Sequence, residues 1–339
     1  MVQVALVMLV SLAAILLASA LFTNALEHFG ERARFSEGAT GSIFASVGTA
    51  LPETMVPLLA ILAGSQDRAL GAEVGVGSIM GSPLMLSTLS LFLLGVAVVR
   101  RRGVTGTLRP ARQGIRRDLN VYLVAFSLST LALFIPASLF ALRLALCLAL
   151  IALYGLHVAR TMYLSRALAE AGELTCAEAP LYLTRLRLPD VMPTLVLQLV
   201  AGLLLLIGAA QQFIQAISQA SALLGVSALL IALLVIPVAT ELPEKVNSIL
   251  WVRRGRDTLA FGNITGAMVF QGTLLPAIGI LLTPWAPRPE IMLGLLVTLL
   301  AVLVLRLAIR RGRVPVWLLG VNGALYAGYI AISLTTLSG

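Results

Sequence analysis

Charge is scarce in these 339 residues. Asp, Glu, Lys and Arg together make up 12% of the chain, 59% is hydrophobic, and the mean hydropathy is +0.99. So few polar side chains cannot cover the surface of a water-soluble domain, so soluble classes are excluded and the composition is that of a polytopic membrane protein. Cysteine and histidine are nearly missing as well. Cys147 lies in an apolar run and Cys176 in a polar loop, which gives neither a disulfide framework nor metal-ligand spacing. His28 and His157 are too far apart in sequence to read as one site, and neither is near the motifs described below. No Gly-x-Ser-x-Gly elbow is present, so an intramembrane enzyme is not expected. No lysine or arginine precedes the first apolar run, so "ASA" at Ala18 to Ala20 reads as part of a retained segment, not as a signal-peptide cleavage site.

What is abundant is long apolar sequence. A helix needs about 20 residues to cross a hydrocarbon layer of ~30 Å. Ten runs meet that need, centred near Ala14, Leu51, Leu86, Ser127, Leu148, Ala201, Val238, Pro276, Leu299 and Tyr326. The net charge of +9 could indicate nucleic-acid binding, but its placement argues otherwise. The loops after runs 1, 3, 5, 7 and 9 hold 20 of the 24 basic residues: Arg32 and Arg34, seven arginines from Arg100 to Arg117, four from Arg160 to Arg187, three from Arg253 to Arg256, and four from Arg306 to Arg313. Arg68, Arg143, Lys245 and Arg288 are the exceptions. By the positive-inside rule the crowded side is cytoplasmic and both termini face out. The arginines then serve as topology signals and lipid anchors.

One stretch occurs twice. "VGTALPETMVPLLAILAG" (Val47 to Gly64) falls on "VATELPEKVNSILWVRRG" (Val238 to Gly255) at an offset of 191. Downstream, "GSIMGSPLMLSTL" from Gly77 pairs with "GNITGAMVFQGTL" from Gly262 at an offset of 185, which leaves six extra residues in the first copy, expected in a turn around Leu70 to Gly75. Run 2 enters the membrane from the cytoplasmic side and run 7 from the opposite one, so the copies are inverted. Inverted repeats with interrupted helices near the bilayer midplane mark secondary transporters. The expected organisation is all-α, about ten transmembrane helices in two inverted five-helix repeats. Residues 1–159 form the first half, with its repeat at about 38–99. A cytoplasmic linker helix spans 160–190, and residues 191–339 form the second half, with its repeat at about 222–285.

The repeated Leu-Pro-Glu has a chemical reading. A proline has no amide hydrogen, so Pro52 and Pro243 deprive the carbonyls of Gly48 and Ala239 of their helical partners. Free carbonyls at membrane depth are tolerated where they line a cavity, and a bound cation can satisfy them. Glu53 and Glu244 supply negative charge one residue on. Thr49 and Thr240 precede them by four residues, on the same helical face. Such oxygen ligands suit a hard cation, and two carboxylates neutralise one calcium ion. Two protons balance the pair equally well, whereas the doubly charged empty site is costly in lipid, and this leads to an expectation of obligatory exchange.

These residues resemble the cation/calcium antiporter superfamily, whose repeats look like "GTSLPE" followed by "GN..GSN..N". Here they read "GTALPE" with "GSIMGSPLML" and "ATELPE" with "GNITGAMVFQ". The resemblance implies that Glu53 and Glu244 are the central cation-binding carboxylates, that Thr49 and Thr240 give backbone oxygens, and that Ser82 and Gln271 stand at ligand positions. It also implies a calcium or similar cation exchanged for protons or sodium. Ala50 and Glu241 replace the serine before Leu-Pro, Ala267 stands where serine is usual, and Leu86 replaces an asparagine or aspartate. Several sodium-type ligands are therefore missing, which favours protons as the counter-ion.

Glu241 and Lys245 are four residues apart and can pair along the helix. Alternatively Lys245 reaches the site as an internal cation, or Glu241 adds a third carboxylate. Gly77 and Gly81, like Gly262 and Gly266, have spacing that permits close helix contact. Asn263 and its counterpart Ser78 can orient a carboxylate or satisfy backbone, and Glu73 is expected to be solvated near the outer surface. The expected partners are inorganic cations and the lipid bilayer of a bacterial inner membrane, with no resident cofactor and no nucleic acid. A cation channel or a non-transporting sensor is the alternative reading.

Overall fold

The protein is described here by a computed structural model covering residues 2–32, 51–63, 68–169, 180–255 and 257–336. It is built almost wholly of helices: α1 (Val2–Arg32), α2 (Leu51–Ala63), α3 (Arg68–Met85), α4 (Leu91–Arg102), α5 (Arg112–Ala132), α6 (Phe140–Ala169), α7 (Met192–Leu224), α8 (Ala228–Thr240), α9 (Leu242–Arg253), α10 (Asp257–Leu282), α11 (Pro289–Ala308) and α12 (Val316–Thr336). In lipid a backbone must satisfy its own polar groups, and helices do so within each segment. One departure from an all-α chain lies in the arginine-rich loops, where the two-residue strands Thr107–Leu108 (β1) and Val314–Pro315 (β2) pair antiparallel. Gly103, at φ 76, ends α4 in a conformation open to glycine, and left-handed Gly225 ends α7.

Apolar side chains are turned outward. On α6, Phe140, Leu142, Leu148, Ile151 and Leu156 are exposed, as are Leu296, Leu300, Leu303 and Leu307 along α11. Glu53, Asp118, Gln198, Glu241, Glu244, Lys245, Gln271 and Asn322 are buried. Polar inside and apolar outside is the arrangement of an integral membrane protein.

Seven helical runs among the described residues are long and apolar enough to span a bilayer: Val2–Phe22, Arg68–Arg102, Phe140–Thr161, Met192–Leu224, Ala260–Leu282, Pro289–Arg311 and Val316–Thr335. The other three expected runs differ for visible reasons. Around Val238 the helix is broken into α8 and α9. Around Leu51 only the shorter α2 lies within the described residues. The run near Ser127 is α5, whose first two turns hold Arg112, Arg116, Arg117 and Asp118. The Leu70 to Gly75 stretch is not a turn. It is the helical start of α3, held because Gly75 packs against the Ile61 side chain and the Pro57 carbonyl. The expected linker opens inside α6, which runs on to Ala169, and its far end carries a 3₁₀ turn at Tyr182–Leu186.

Two polar ties hold the periphery. The long helices α1 and α7 pair through a buried network in which Gln198 Nε2 donates to Leu21 O (2.8 Å) and Asn24 Oδ1 (2.9 Å). The Ala18 to Ala20 stretch lies in mid-helix, with the Ala18 carbonyl close to Gly202 of α7. On the arginine-rich side, Arg102 grips Asp257 with both guanidinium nitrogens (2.6 and 2.8 Å), and the Arg109 amide donates to the same carboxylate (2.8 Å). Asp257 opens α10, where a carboxylate complements the helix dipole.

The contact that positions the site is α3 against α8. Gly77 and Gly81 lie directly on the backbone carbonyls of Leu229 and Leu233, so the packing role expected of this pair is what the structure has. A methyl group at Gly262 or Gly266 would meet nothing within 4 Å among the described residues, so this pair makes no such close contact. A methyl group at Gly81 would fall on the Leu233 carbonyl, and backbone cannot swing aside. Gly81→Ala is expected to cost ~1–3 kcal/mol, read as a lowered unfolding temperature in detergent.

Candidate functional site

Four elements meet in the middle of the molecule: the start of α2, the end of α3, the break between α8 and α9, and the centre of α10. The break follows from sequence. Pro243 leaves the Ala239 carbonyl without an i+4 donor, and Glu241 leaves the helical region at φ −93, ψ 8. The ladder resumes across it, because the Glu241 amide donates to Pro237 O (3.2 Å) and the Lys245 amide to Glu241 O (3.2 Å). Glu244 falls in the first turn of α9, where the helix dipole favours a carboxylate.

Glu53 comes from the first copy of the motif and Glu244 from the second, and the fold brings them together. Their exposures are 1% and 2%, so neither faces lipid or bulk water. Glu244, Glu241 and Lys245 all lie close enough to act electrostatically on Glu53. The Gln271 amide Nε2 approaches Glu241 Oε1 at 3.5 Å. One oxygen of Glu53 and the amide oxygen of Gln271 are buried with no hydrogen-bond partner among the described residues. Buried acceptors of this kind carry a desolvation cost unless something electropositive fills the space between them.

The other expected residues divide. Ser82, at the end of α3, is buried and lies near the Glu241 carboxyl. Thr240 is buried, and its hydroxyl donates to Ile236 O at 3.2 Å within α8. Thr49 lies outside the described residues. Glu241 is fully buried and pairs with Lys245 (Oε2 to Nζ, 3.4 Å), so the along-helix pairing does form. Asn263 donates to Glu244 O (3.1 Å) and Ser248 Oγ (3.0 Å), which makes it a backbone support and not a carboxylate ligand. Glu73 is partly exposed and paired with Arg288. Among the described residues no three His, Cys, Asp or Glu side chains are grouped as a metal chelate. Glu53 and Glu244 offer carboxylate oxygens, and Ser82 and Gln271 neutral ones, donor types that suit a hard divalent cation.

Three features lay beyond the sequence reading. The α3 helix continues into α4 through a π-turn at Leu86–Ser90, the place where Leu86 replaces a polar residue of the resembled pattern. Ser87 and Thr88 both donate back to Leu84 O, and Asn322 donates to Ser87 O (2.7 Å). The run Leu-Ser-Thr-Leu-Ser inside an apolar stretch was the available signal. Asp118, Arg117 and His157 cluster on the α5–α6 side, with Thr265 of α10 donating to Asp118 (2.9 Å). Arg143 is buried in a cage of carbonyls from Ile135, Thr283, Pro284 and Trp285. This explains a basic residue away from the arginine-rich side.

CaxA of Alkalimonas amylolytica, to which antiport is ascribed, is 28% identical over 255 residues, 72% of this chain and 70% of its own. Inner membrane protein YrbG of Escherichia coli (strain K12) is 26% identical over 249 residues, 72% of this chain and 69% of its own. Among solved structures, the H+/Ca2+ exchanger CAX superposes with a TM-score of 0.73 at 19% identity, covering 98% of this chain and 82% of that one. The sodium-calcium exchanger NCX_Mj gives 0.58 at 17% identity, covering 99% of both. At such identities the two structures speak for the fold alone. The model of one family matches residues 3–163 and 194–335, most of the chain, and the protein therefore belongs to the sodium/calcium exchanger protein family.

Proposed function

We propose that this chain is a secondary active cation antiporter, exchanging calcium or a similar divalent cation for protons or sodium by alternating access. The observation that carries the reading is the meeting of Glu53 and Glu244, one from each copy of Leu-Pro-Glu, both buried and acting electrostatically on each other, with one Glu53 oxygen and the Gln271 amide oxygen lacking a hydrogen-bond partner among the described residues. One divalent cation cancels the pair, and so do two protons. The empty, doubly charged site is the state that the low-dielectric interior disfavours, so a state change is coupled to occupancy. Protons are the preferred counter-ion because Ala50, Ala267 and Leu86 supply no sodium ligands.

The finer architecture belongs to the same proposal: ten spans in two inverted five-helix halves, with both termini outside. The broken α8–α9 segment, the short α2, and α5 beyond its charged first turns supply the three spans beyond the seven continuous ones. The two stretches matched by the family, separated at 164–193, support a division into halves with a linker between them. Glu53 and Glu244 are the metal ligands in this reading, with Ser82, Gln271 and the backbone at Thr49 and Thr240 completing the oxygen set. A channel on the same scaffold would conduct without a counter-ion.

The test is calcium uptake into proteoliposomes with an imposed pH or sodium gradient. Exchange requires uptake driven by an inside-acid gradient, or by inside sodium, and none without either. Unitary currents, or uptake indifferent to every counter-ion gradient, would overturn the reading.

A further inference from the structure

Lys245 is the only lysine in a chain with 23 arginines, and it is 5% exposed in the middle of the protein. Its ammonium has three donors and three neighbours: Met85 Sδ at 3.0 Å, Pro237 O at 3.2 Å and Glu241 Oε2 at 3.4 Å. Two of these are fixed points of the fold. The Pro237 carbonyl belongs to the last turns of α8, where a cation complements the negative end of the helix dipole, and Met85 closes α3 just before the π-turn. The ammonium is thus anchored at the break and touches one carboxylate, Glu241, while still acting electrostatically on Glu53.

We infer that Lys245 is a built-in counter-cation that keeps Glu241 out of the ion's ligand set and fixes the formal charge of the site, making it the residue that selects divalent over trivalent cations. The inference rests on the reading of Glu53 and Glu244 as a cation site and deepens it. Glu244 and Glu241 both act electrostatically on Glu53, and with the Lys245 ammonium against Glu241 these four side chains carry a formal charge of minus two, the charge that a divalent ion cancels. Without Lys245 the same pocket holds minus three. An amine tethered at this distance from the carboxylates cannot leave with the transported ion, so it acts in every state of the cycle. Arginine, which supplies every other fixed positive side chain here, is planar and forked and cannot place one point charge between a thioether, a carbonyl and a carboxylate.

The experiment measures binding of Ca2+ and Tb3+ to purified protein in detergent, at mildly alkaline pH, by calorimetry and terbium luminescence. The formal charge is minus two in the wild type, minus three in Lys245→Met, minus one in Glu241→Gln, and minus two again in the double variant. If charge decides, the Tb3+ to Ca2+ affinity ratio rises by about tenfold or more in Lys245→Met, falls in Glu241→Gln, and returns to the wild-type ratio in the double variant. A packing role alone would not let the second substitution repair the first. Should Lys245→Met fail to fold, the comparison of Glu241→Gln with the double variant still decides, because removing the ammonium must then strengthen Ca2+ binding. An unchanged ratio in Lys245→Met, or a double variant weaker for Ca2+ than Glu241→Gln, overturns the inference. Glu53→Gln serves as the control. If it abolishes binding while the Lys245 series is flat, only the inference fails, and if it binds like wild type, the site itself has been misread.

Discussion

Glu53→Gln and Glu244→Gln are each expected to lower calcium exchange by more than ~100-fold while leaving the protein folded. Substitution of groups that merely support a metal ligand costs 10–100-fold in affinity, and here the charged ligand itself is lost. Glutamine has nearly the shape of glutamate, so the packing of α2 and α9 around each position persists. Stability in the absence of calcium should not fall and can rise, since each substitution removes one of the like charges crowded at Glu53. The same variants should lose stabilisation by calcium. A ligand at 100 times its dissociation constant raises unfolding free energy by ~2.7 kcal/mol, and that increment should be absent. Uptake assays and thermal unfolding with and without calcium read both effects on one preparation. Loss of transport with loss of fold would assign the two carboxylates a structural role instead.

The second large effect is on stability. Arg143→Met should destabilise the protein by ~2–4 kcal/mol, the worth of a strong hydrogen bond from a charged donor together with the cost of carbonyls left bare. Its guanidinium donates to Ile135 O (2.8 and 3.1 Å) and Pro284 O (2.7 Å), with longer contacts to Thr283 O and Trp285 O. These carbonyls belong to the loops that follow α5 and α10, so one side chain ties two loops together. Trp285 completes the lock by donating from Nε1 to Ser129 O (3.1 Å) and packing on Gly279. Arg143→Lys should recover part of the loss at most, because an ammonium cannot reproduce the fork. Ion selectivity should be unchanged in both variants, which separates this position from Lys245. Unfolding of the detergent-solubilised protein is the measurement.

The sequence was most informative where physics leaves few options. Twenty apolar residues in a row have one stable state in lipid, so the long spans could be read directly. The duplicated Leu-Pro-Glu pointed to Glu53 and Glu244 because a buried acid repeated in two copies has no packing explanation. Gly77 and Gly81 were legible for a similar reason, since small residues at that spacing imply another backbone alongside. Other features depend on tertiary partners that no local pattern names. The Glu241 to Lys245 spacing allowed a pairing, but not the placement of the ammonium against Met85, 160 residues earlier in the chain. Arg143 read as an exception to a topology rule, when its partners lie at Thr283 to Trp285. The extra residues of the first copy suggest a turn at Leu70 to Gly75, whereas glycine in a membrane helix is commonly a contact residue, as Gly75 is against Ile61.

The central claim is that acidic side chains from the two halves of the chain share one metal ion. It is tested most directly by determining the structure with calcium, or a heavier divalent analogue, and locating the ion by its scattering. The account predicts a single strong peak within calcium–oxygen distance, about 2.3–2.6 Å, of carboxylate oxygens of both Glu53 and Glu244, with Lys245 still held at Glu241. A peak bound by only one of the two glutamates, or an ion located elsewhere while both carboxylates remain unligated, would contradict it.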